Sequence, residues 1–353
     1  MRRLGTLPLV LSTLLAVGVA IAPATLASSG KGDHGGGKPG HGLPSLTWKE
    51  TVVDASQNFR GLDAVSRRTA WVTGENLTEG DPGRIFRTTD GGRTWADLTP
   101  PGTEGLSFRD VEARSARVAT VLAIGPGESS RIYRTTDGGT TWDAAFVNDD
   151  PAAFYDCMAF YPGGRRGLAM SDPVDGKFRI LATDDFGASW SVLPSDGMPD
   201  ASTEYGFAAS GDCLVTVGRT AYFGSGGGQA RVFRSDDFGV TWTASDSTIP
   251  PGDSAGVFSL AFKTPRHGVA VGGDFADPAD GADAVATTRD GGATWTSGGD
   301  PAHLAEDVAY LPHLRHGLVI TGSYGGVAGT SVSLDGGRTW RQISDTGYHA
   351  LDC

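Results

Sequence analysis

The sequence predicts an all-β protein, a β-propeller of four-stranded blades with six complete blades and an incomplete seventh. Three observations predict this fold. Glycine is abundant, at 53 of 353 residues, and follows no three-residue period, which is typical of many tight turns. A motif of eight residues recurs six times at intervals of about 50 residues. Each interval contains short apolar runs of strand length, and none of them has the period of an amphipathic helix.

The repeated motif has the pattern [ST]-x-D-x-G-x-[TS]-W, as in TTDGGRTW at residues 88–95 and SLDGGRTW at residues 333–340. An aspartate can accept backbone N–H groups across a hairpin turn, and glycine supplies the positive φ that such a turn needs. The tryptophan can then pack on the hairpin below. We therefore expect structural roles for Asp90, Asp137, Asp185, Asp237, Asp290 and Asp335, and for Trp95, Trp142, Trp190, Trp242, Trp295 and Trp340.

Each repeat divides into four strands. In the second repeat the first strand is FRDVEA (108–113), the second is VLAIG, the third is RIYRTTD, and the fourth begins at Trp142. The fourth repeat fits this pattern least well. We assign its first strand to YGFAAS (205–210) and its second to CLVTVG (213–218).

The N-terminal segment is typical of export. Arg2 and Arg3 precede a nearly unbroken apolar run at residues 7–22, and small residues follow it. We expect a signal peptide at residues 1–27, cleaved after Ala24 or Ala27, and a secreted or cell-envelope location for a mature chain without a transmembrane span. An uncleaved membrane anchor is the alternative, but the run is shorter than the roughly 20 residues that a span needs. Residues 28–44 read as a flexible Gly/His-rich linker, and residues 45–353 as the propeller.

The charge balance limits the choice of partner. The chain has 29 basic and 41 acidic residues and a net charge of −12, which disfavours nucleic acid or an anionic membrane as its main partner. We expect a monomer whose partner is a protein or a glycan. The three cysteines are too few for a disulfide scaffold, and the sequence leaves open whether Cys157 and Cys213 form a bridge.

Polar residues gather where first strands begin and second strands end. In a propeller these positions share one face, opposite the repeated turns, and surround the mouth of the central channel. They suit a polar ligand such as a sugar, a peptide or a cation, although solvated rim charges would give the same pattern. The candidate ligand-binding residues are Arg60, Arg109, Asp110, Tyr155, Asp156, Asp172, Asp274, Glu306 and Asp307.

No complete catalytic constellation, cofactor motif or metal cluster is evident in the sequence. The sequence therefore favours an exported, non-enzymatic binding or scaffolding propeller that needs no cofactor and no metal. The alternative is a glycoside hydrolase or lyase acting on an extracellular polysaccharide, with acids drawn from Asp110, Asp156, Asp172, Asp274 and Glu306.

The repeats resemble the Asp-box (BNR) repeats of sialidases, xyloglucanases, sortilin-type receptor domains and photosystem II assembly-factor-like propellers. The pattern RIYRTTDGGTTW is most similar to the assembly-factor group, a YVTN/BNR-like branch of the sialidase-superfamily fold. The resemblance implies a fold but hardly a function. The F/Y-R-I-P motif of sialidases is absent, since residues 178–181 read FRIL, and xyloglucanases use two propellers where this chain has one.

The resemblance also implies a binding role for arginines, because propellers of the assembly-factor group carry an arginine patch. The alternative is that each arginine covers apolar surface and pairs with a local acid. The candidates lie six or three residues before the motif aspartates: Arg84, Arg131, Arg179 and Arg231, and Arg87, Arg134 and Arg234.

The two termini predict the incomplete seventh blade. Trp48 matches the start of a fourth strand, and residues 348–353 (YHALDC) match a first strand. Joined, they would close the ring with half a blade. The alternative is a ring of six blades with loose ends.

Overall fold

The computed structural model describes residues 50–78 and 81–353. In these residues the chain is almost entirely β, with two short 3₁₀ turns at Gly127–Ser129 and Gly211–Cys213. The strands form six sheets, each of which contains four antiparallel strands in meander order. The predicted all-β propeller of four-stranded blades is confirmed. The predicted signal peptide, the linker and Trp48 lie outside the described residues.

The strands of each blade follow one another from the channel outwards, so the first of each set is innermost. Blade 1 contains β1 (Gln57–Ser66), β2 (Thr69–Asn76), β3 (Ile85–Thr88) and β4 (Ala96–Asp97). Blade 2 contains β5 (Ser107–Ala113), β6 (Ala119–Ile124), β7 (Arg131–Thr135) and β8 (Asp143–Val147). Blade 3 contains β9 (Tyr155–Phe160), β10 (Gly167–Val174), β11 (Lys177–Thr183) and β12 (Ser191–Val192).

The later blades follow the same plan with one addition. Blade 4 contains β14 (Leu214–Val217), β15 (Thr220–Gly224), β17 (Arg231–Ser235) and β18 (Thr243–Asp246). Blade 5 contains β19 (Gly252–Thr264), β20 (His267–Asp274), β21 (Val285–Thr288) and β22 (Thr296–Ser297). Blade 6 contains β23 (Asp307–Tyr310), β24 (Leu318–Tyr324), β25 (Val327–Ser333) and β26 (Arg341–Ser344). Two short strands, β13 (Glu204–Tyr205) and β16 (Gly226–Gly227), extend the sheet of blade 5.

The repeated motifs form the turns between third and fourth strands, and each aspartate holds its turn closed. Asp137 accepts the backbone N–H of Thr141 at 3.0 Å, the hydroxyl of Thr141 at 2.7 Å and the hydroxyl of Thr135 at 2.9 Å. The other five aspartates accept the same three groups in their own turns. These bonds hold the pKa of Asp137 below its usual value, at about 2.

The same turns contact the hairpins between first and second strands. Gly91 N donates to Arg68 O, Gly138 N to Arg117 O, and Phe186 N to Arg165 O, and blades 5 and 6 repeat this bond. Both kinds of turn therefore lie on one face of the propeller, which we call the turn face. The opposite face, with the connections between second and third strands and between blades, is the loop face.

Blade 4 departs from the predicted strand assignment. Its first strand is β14, which was predicted as the second, and its second strand is β15. Residues 205–210 were predicted as the first strand, but they leave the sheet after β13 and cross towards the channel. The physical reason is the tight turn at Gly218-Arg219, which joins β14 directly to β15. The apolar run before this turn is therefore the first strand of blade 4.

The apolar core lies between neighbouring blades. Five clusters fill the seams from blade 1 through blade 6, as in the packing of Phe178 on Phe223 and Phe233 between blades 3 and 4. The seam between blades 6 and 1 differs within the described residues, because the C-terminal residues 348–353 occupy it. Leu351 N donates to Asp307 of blade 6 at 2.6 Å, and Ala64 N of blade 1 donates to Asp352 at 2.6 Å.

The predicted seventh blade is thus seen only at its inner position. Residues 348–353 lie where a first strand would lie, without regular strand structure. The proposed partner strand at Trp48 lies outside the described residues, so that half of the blade stays a prediction.

Cys157 and Cys213, left open by the sequence, form a disulfide. Cys157 lies in β9, and Cys213 ends the 3₁₀ turn just before β14, so both belong to inner positions of adjacent blades. Their Cα atoms are 6.0 Å apart, and 56 residues separate them in the chain. Cys353 is the free cysteine of the described chain.

We expect the double substitution Cys157→Ala/Cys213→Ala to lower the free energy of unfolding by about 3 kcal/mol, because a long loop of the unfolded chain is no longer closed. Urea unfolding followed by tryptophan fluorescence measures this loss. Cys353→Ser is the control and should leave the midpoint unchanged. An unchanged midpoint in the double variant would show that the bridge does not stabilise the fold.

Candidate functional site

Most of the predicted site residues lie around the channel, but most of them are buried. Tyr155 instead packs on Phe146 in the seam between blades 2 and 3. Exposure is 8% for Arg60, 3% for Asp110, 2% for Asp156 and 1% for Asp307, and Tyr155 and Glu306 are fully buried. Arg109, Asp172 and Asp274 are partly exposed. The sequence brought these residues to one region, but most of them do not face solvent.

The reason is a segment that crosses the mouth of the channel, residues Tyr205 to Ser210, which we call the crossing segment. Its Ala209 O accepts a hydrogen bond from Arg60 at 2.9 Å, and its Ala208 O accepts one from Arg109 at 2.9 Å. Gly206 N donates to Asp172 at 2.7 Å. The crossing segment, which precedes blade 4, thus contacts blades 1, 2 and 3 and covers the loop-face end of the channel.

Beneath the crossing segment, Arg60 pairs with Glu306 and Arg109 pairs with Glu75. Arg60 also lies 3.7 Å from Glu75, which connects the two ion pairs. Glu306 accepts from Arg60 at 3.0 Å and from the Nδ1–H of His349 at 2.9 Å, and Ser323 N donates to it at 2.6 Å. Burial acts to raise the pKa of Glu306, but His349 and Arg60 outweigh it and the pKa is lowered. This cluster joins blade 6, blade 1 and the C-terminal segment.

The second pair lies between blades 1 and 2. Arg109 donates through Nη2 to both carboxylate oxygens of Glu75, at 3.0 and 2.9 Å. Burial lowers the pKa of Arg109 to about 10, which still leaves it charged at neutral pH. Glu75 was not among the predicted residues, although it holds the same position near the end of its second strand as Asp172 does in blade 3.

Deeper in the channel, carboxylates bridge the inner strands of adjacent blades. Asp63 accepts from Ala113 N at 2.5 Å, and Asp110 accepts from Met158 N at 2.7 Å. Asp307 and Asp352 make the corresponding bonds across the seam between blades 6 and 1. We call these four residues the bridging carboxylates. Asp110 and Asp307, predicted as ligand-binding, therefore hold the ring together.

Burial raises the pKa of these carboxyl groups. The pKa rises to about 7 for Asp63, Asp110 and Asp307, and it also rises for Asp352. Loss of hydration is the largest cause in each case, and it outweighs the backbone N–H groups that favour the ionised form. The channel interior therefore holds carboxyl groups that bind protons near neutral pH.

Asp156 and Asp172 form a second acidic group under the crossing segment. Burial, followed by the charge of Asp172, raises the pKa of Asp156 well above its usual value, and burial raises that of Asp172 to about 6. A side chain at Gly206 would lie 2.8 Å from Asp156 Oδ2, so the crossing segment needs glycine there. The pair can hold a proton, and the crossing segment covers Asp156, whereas Asp172 is partly exposed.

Aromatic side chains lie together on the loop face beside the covered mouth, with Tyr324 exposed, Tyr205 and Phe275 partly exposed and Phe207 buried. Phe207 of the crossing segment packs on Phe258 with ring centroids 4.6 Å apart, and Phe275 stacks on Phe258 at 4.5 Å. Tyr324 contacts Phe275 at 4.6 Å and is 41% exposed, and Tyr205 contacts Phe207 at 5.4 Å. We call Tyr205, Phe207, Phe275 and Tyr324 the aromatic cluster. Sequence reasoning missed it; the poor fit of residues 205–210 to the repeat was the available signal.

Acids surround the aromatic cluster. Asp274 precedes Phe275 and accepts from the hydroxyl of Ser254 at 2.6 Å. Tyr205 donates its hydroxyl to the backbone oxygen of Asp253, and the side chain of Asp253 is exposed. The cluster therefore offers flat apolar rings beside negative charge, an arrangement that suits cationic or amphipathic ligands.

At the turn-face end the channel opens into a cavity of about 370 Å³. Apolar side chains such as Leu260, Phe262 and Val308 line it together with the carboxyl groups of Glu112 and Asp212. Burial raises the pKa of both acids well above the usual value, and neighbouring acids add to the effect. Among residues 50–78 and 81–353, no three His, Cys, Asp or Glu side chains are arranged to hold a metal ion.

The third-strand arginines pair locally. The set six residues before the motif aspartates binds neighbouring acids in four pairs, Arg84–Asp97, Arg131–Glu128, Arg179–Asp150 and Arg231–Glu204. In the other set Arg87 donates to Ala116 O and Gly138 O, Arg134 donates to Phe186 O, and Arg234 pairs with Asp236. These contacts favour the structural alternative for both sets.

We expect the free energy of unfolding to fall as pH rises from about 4 to about 7. The bridging carboxylates have raised pKa values in the folded protein, so the folded state holds more protons than the unfolded state in this window. His303 and His349, whose pKa values burial lowers, act in the opposite direction just below 6.5 but are fewer. Urea midpoints at pH 5 and pH 8 measure the slope.

Asp63→Asn is the matched variant for this prediction, because asparagine keeps an oxygen for Ala113 N and removes the titrating group. It should flatten the pH dependence and raise the midpoint at pH 8. A midpoint that rises with pH in the parent protein, or a variant with the parent slope, would contradict the assignment.

Comparisons with known proteins identify the fold. No family model matches the chain, and no curated protein sequence matches it. A structure described as YCF48 bound to D1 peptide, YCF48 being a photosystem II assembly factor, matches at a TM-score of 0.54 and 16% identity over 82% of this chain and 83% of that one. YCF48 from Cyanidioschyzon merolae matches at 0.50 and 16% identity, over 78% and 82%.

A fucose-specific lectin from Aleuria aurantia also matches, at a TM-score of 0.50 and 11% identity over 81% of this chain and 94% of the lectin. Identities this low carry the fold and leave the ligand open. Within the described chain no helix is long and apolar enough to cross a membrane. The chain thus has a YCF48-like β-propeller fold.

Proposed function

We propose that this protein is an exported, non-enzymatic binding propeller that holds a peptide segment of a protein partner on its loop face. The observation that carries the proposal is the aromatic cluster, which lies beside the covered channel mouth with Tyr324 41% exposed. The aromatic cluster and the acids Asp253 and Asp274 suit a peptide that presents apolar side chains next to lysine or arginine.

The crossing segment gives this surface its rigidity. Phe207 is anchored against Phe258, and the backbone of Ala208 and Ala209 is held by Arg109 and Arg60. A preformed surface loses little conformational entropy when it binds. The YCF48 structure named above holds a D1 peptide on the same fold, which supports a peptide as the class of ligand.

The buried acids support a binding role over catalysis. Asp110 and Glu306 bridge and pair within the protein, and Asp156 lies under Gly206 of the crossing segment. A hydrolase needs its acid and base within reach of a substrate. Glycoside hydrolysis or lyase activity stays the alternative prediction, with no further observation in its favour.

The motif turns and the disulfide support the remaining parts of the proposal. The turns have the residue pattern and the bonding of Asp boxes, and we propose that they belong to that class. A disulfide between Cys157 and Cys213 persists in an oxidising compartment, which supports export by the N-terminal segment at residues 1–27.

Screening the purified protein against a displayed peptide library and a glycan array tests the binding function. For the peptides selected, Tyr324→Ala should weaken binding about tenfold, through loss of one exposed aromatic contact, and Tyr324→Phe should retain it. Leu334→Ala, which removes an exposed apolar side chain of the turn face, is the control.

If the screen selects glycans and no peptide, the ligand would be a glycan and the peptide proposal would be wrong. Peptide binding that resists Tyr324→Ala would place the site elsewhere. Turnover of aryl-glycosides that is lost in Asp110→Ala or Asp156→Ala would establish the enzymatic alternative.

A further inference from the structure

Exposed arginines surround the channel on the turn face. The turn between the first and second strands of each blade carries at least one. These six arginines are Arg67, Arg114, Arg165, Arg219, Arg266 and Arg315. Three of these turns carry a second exposed arginine, namely Arg68, Arg117 and Arg166. We call these residues the arginine ring. It consists of different residues from the third-strand arginines, which are paired with local groups.

The motif turns between third and fourth strands add further cations to the same face. Arg93, Arg289 and Arg338 are exposed in them, and Lys263 is exposed at the end of β19. Among the described residues, the acids at this face are the six motif aspartates with Asp143, Asp184 and Asp236, and Glu112, Asp212 and Asp352 lie at the channel opening. The cations named above still outnumber them. The motif aspartates are ionised, but their oxygens are taken up by bonds within their own turns.

The loop face carries the opposite charge. Exposed acids extend from its connections around the ring, among them Glu104, Glu128, Asp149, Asp175, Asp277 and Asp300. The arginines nearest to this face, such as Arg84 and Arg179, are each paired with an acid. The net charge of −12 therefore hides a basic face and an acidic face.

Apolar side chains are exposed among the cations of the turn face. Phe186, Val240 and Leu334 belong to three aspartate turns and are 38%, 55% and 39% exposed. Phe186 has a positive φ of 67°, where four of the other turns have glycine, and the guanidinium of Arg114 lies 4.7 Å from its ring centroid. A bulky residue in this left-handed conformation carries a backbone cost, and its ring is partly exposed to solvent.

We propose that the turn face is a docking surface for an anionic lipid bilayer. A bilayer is broad and flat enough to meet guanidinium groups distributed over six blades at once, and its phosphates match their forked donors. It also offers an apolar phase for Phe186, Val240 and Leu334, which a dissolved polyanion does not. The acidic loop face would then point away from the membrane and remain accessible to the partner proposed above.

Flotation with vesicles tests this proposal directly. The full chain should bind vesicles of equimolar phosphatidylglycerol and phosphatidylcholine, should bind vesicles of phosphatidylcholine alone far less, and should lose binding as salt rises. Arg67→Gln/Arg68→Gln should weaken binding to the anionic vesicles about 30-fold at low salt, from the loss of two surface cations.

Arg84→Gln/Arg131→Gln is the matched control, because it changes the net charge equally and lies at the other end of the third strands. It should leave vesicle binding unchanged. Val240→Ser and Leu334→Ser should each weaken vesicle binding while leaving heparin binding unaltered, which separates lipid insertion from attraction to any polyanion. Urea midpoints check that all variants fold.

Three results would overturn the proposal. The first is equal binding to neutral and anionic vesicles. The second is an equal loss of vesicle binding in the Arg67→Gln/Arg68→Gln and Arg84→Gln/Arg131→Gln variants. The third is vesicle binding that is unchanged by Val240→Ser and Leu334→Ser and varies among the variants as heparin binding does. If vesicle binding and heparin binding fall together and neither depends on Val240 or Leu334, the arginine ring would bind a soluble polyanion instead of a bilayer. Because the loop-face site is measured with peptides and the turn face with vesicles, failure of either leaves the other standing.

Discussion

The ring depends on carboxylates that join the inner strand of one blade to the next. Inner strands of neighbouring blades do not pair through their backbones, so each leaves N–H groups directed at the channel. Asp63, Asp110, Asp307 and Asp352 accept such groups from the following strand. Of these four, Asp110 and Asp307 were predicted from the sequence as ligand-binding residues. In the structure all four accept backbone N–H groups at the channel.

This arrangement concentrates negative charge where water is scarce, and the fold answers in two ways. At the loop-face end, Arg60 and Arg109 neutralise Glu306 and Glu75. Deeper in the channel no arginine of the described residues contacts the bridging carboxylates. Burial raises their pKa values, so that protons neutralise them near neutral pH. At the seam between blades 6 and 1, His349, Glu306 and Arg60 join the two blades beside the apolar cluster of Phe59, Val72 and Phe86.

The crossing segment separates what is buried from what can bind. Its residues were expected to form the inner strand of blade 4, but they cross the channel mouth, and their carbonyl groups accept hydrogen bonds from Arg60 and Arg109. Covering the mouth leaves the aromatic cluster as the exposed feature of that face. One face then presents aromatic rings among acids, and the other presents arginines with exposed apolar side chains, so the two partners proposed above would meet opposite faces.

The sequence by itself determined the blade plan, the turn chemistry and the role of the six motif aspartates, because these depend on contacts within a few residues. It also located Arg60, Asp110 and Glu306 near one mouth, since the repeat places equivalent positions on the same face. Only the tertiary structure decided which strand of blade 4 is innermost, that residues 205–210 cover the channel, and that Cys157 meets Cys213. It alone showed that the charges segregate between two faces. Those outcomes depend on contacts between blades, which a repeat of about 50 residues leaves unspecified, because each blade has the same local pattern whatever its neighbour supplies.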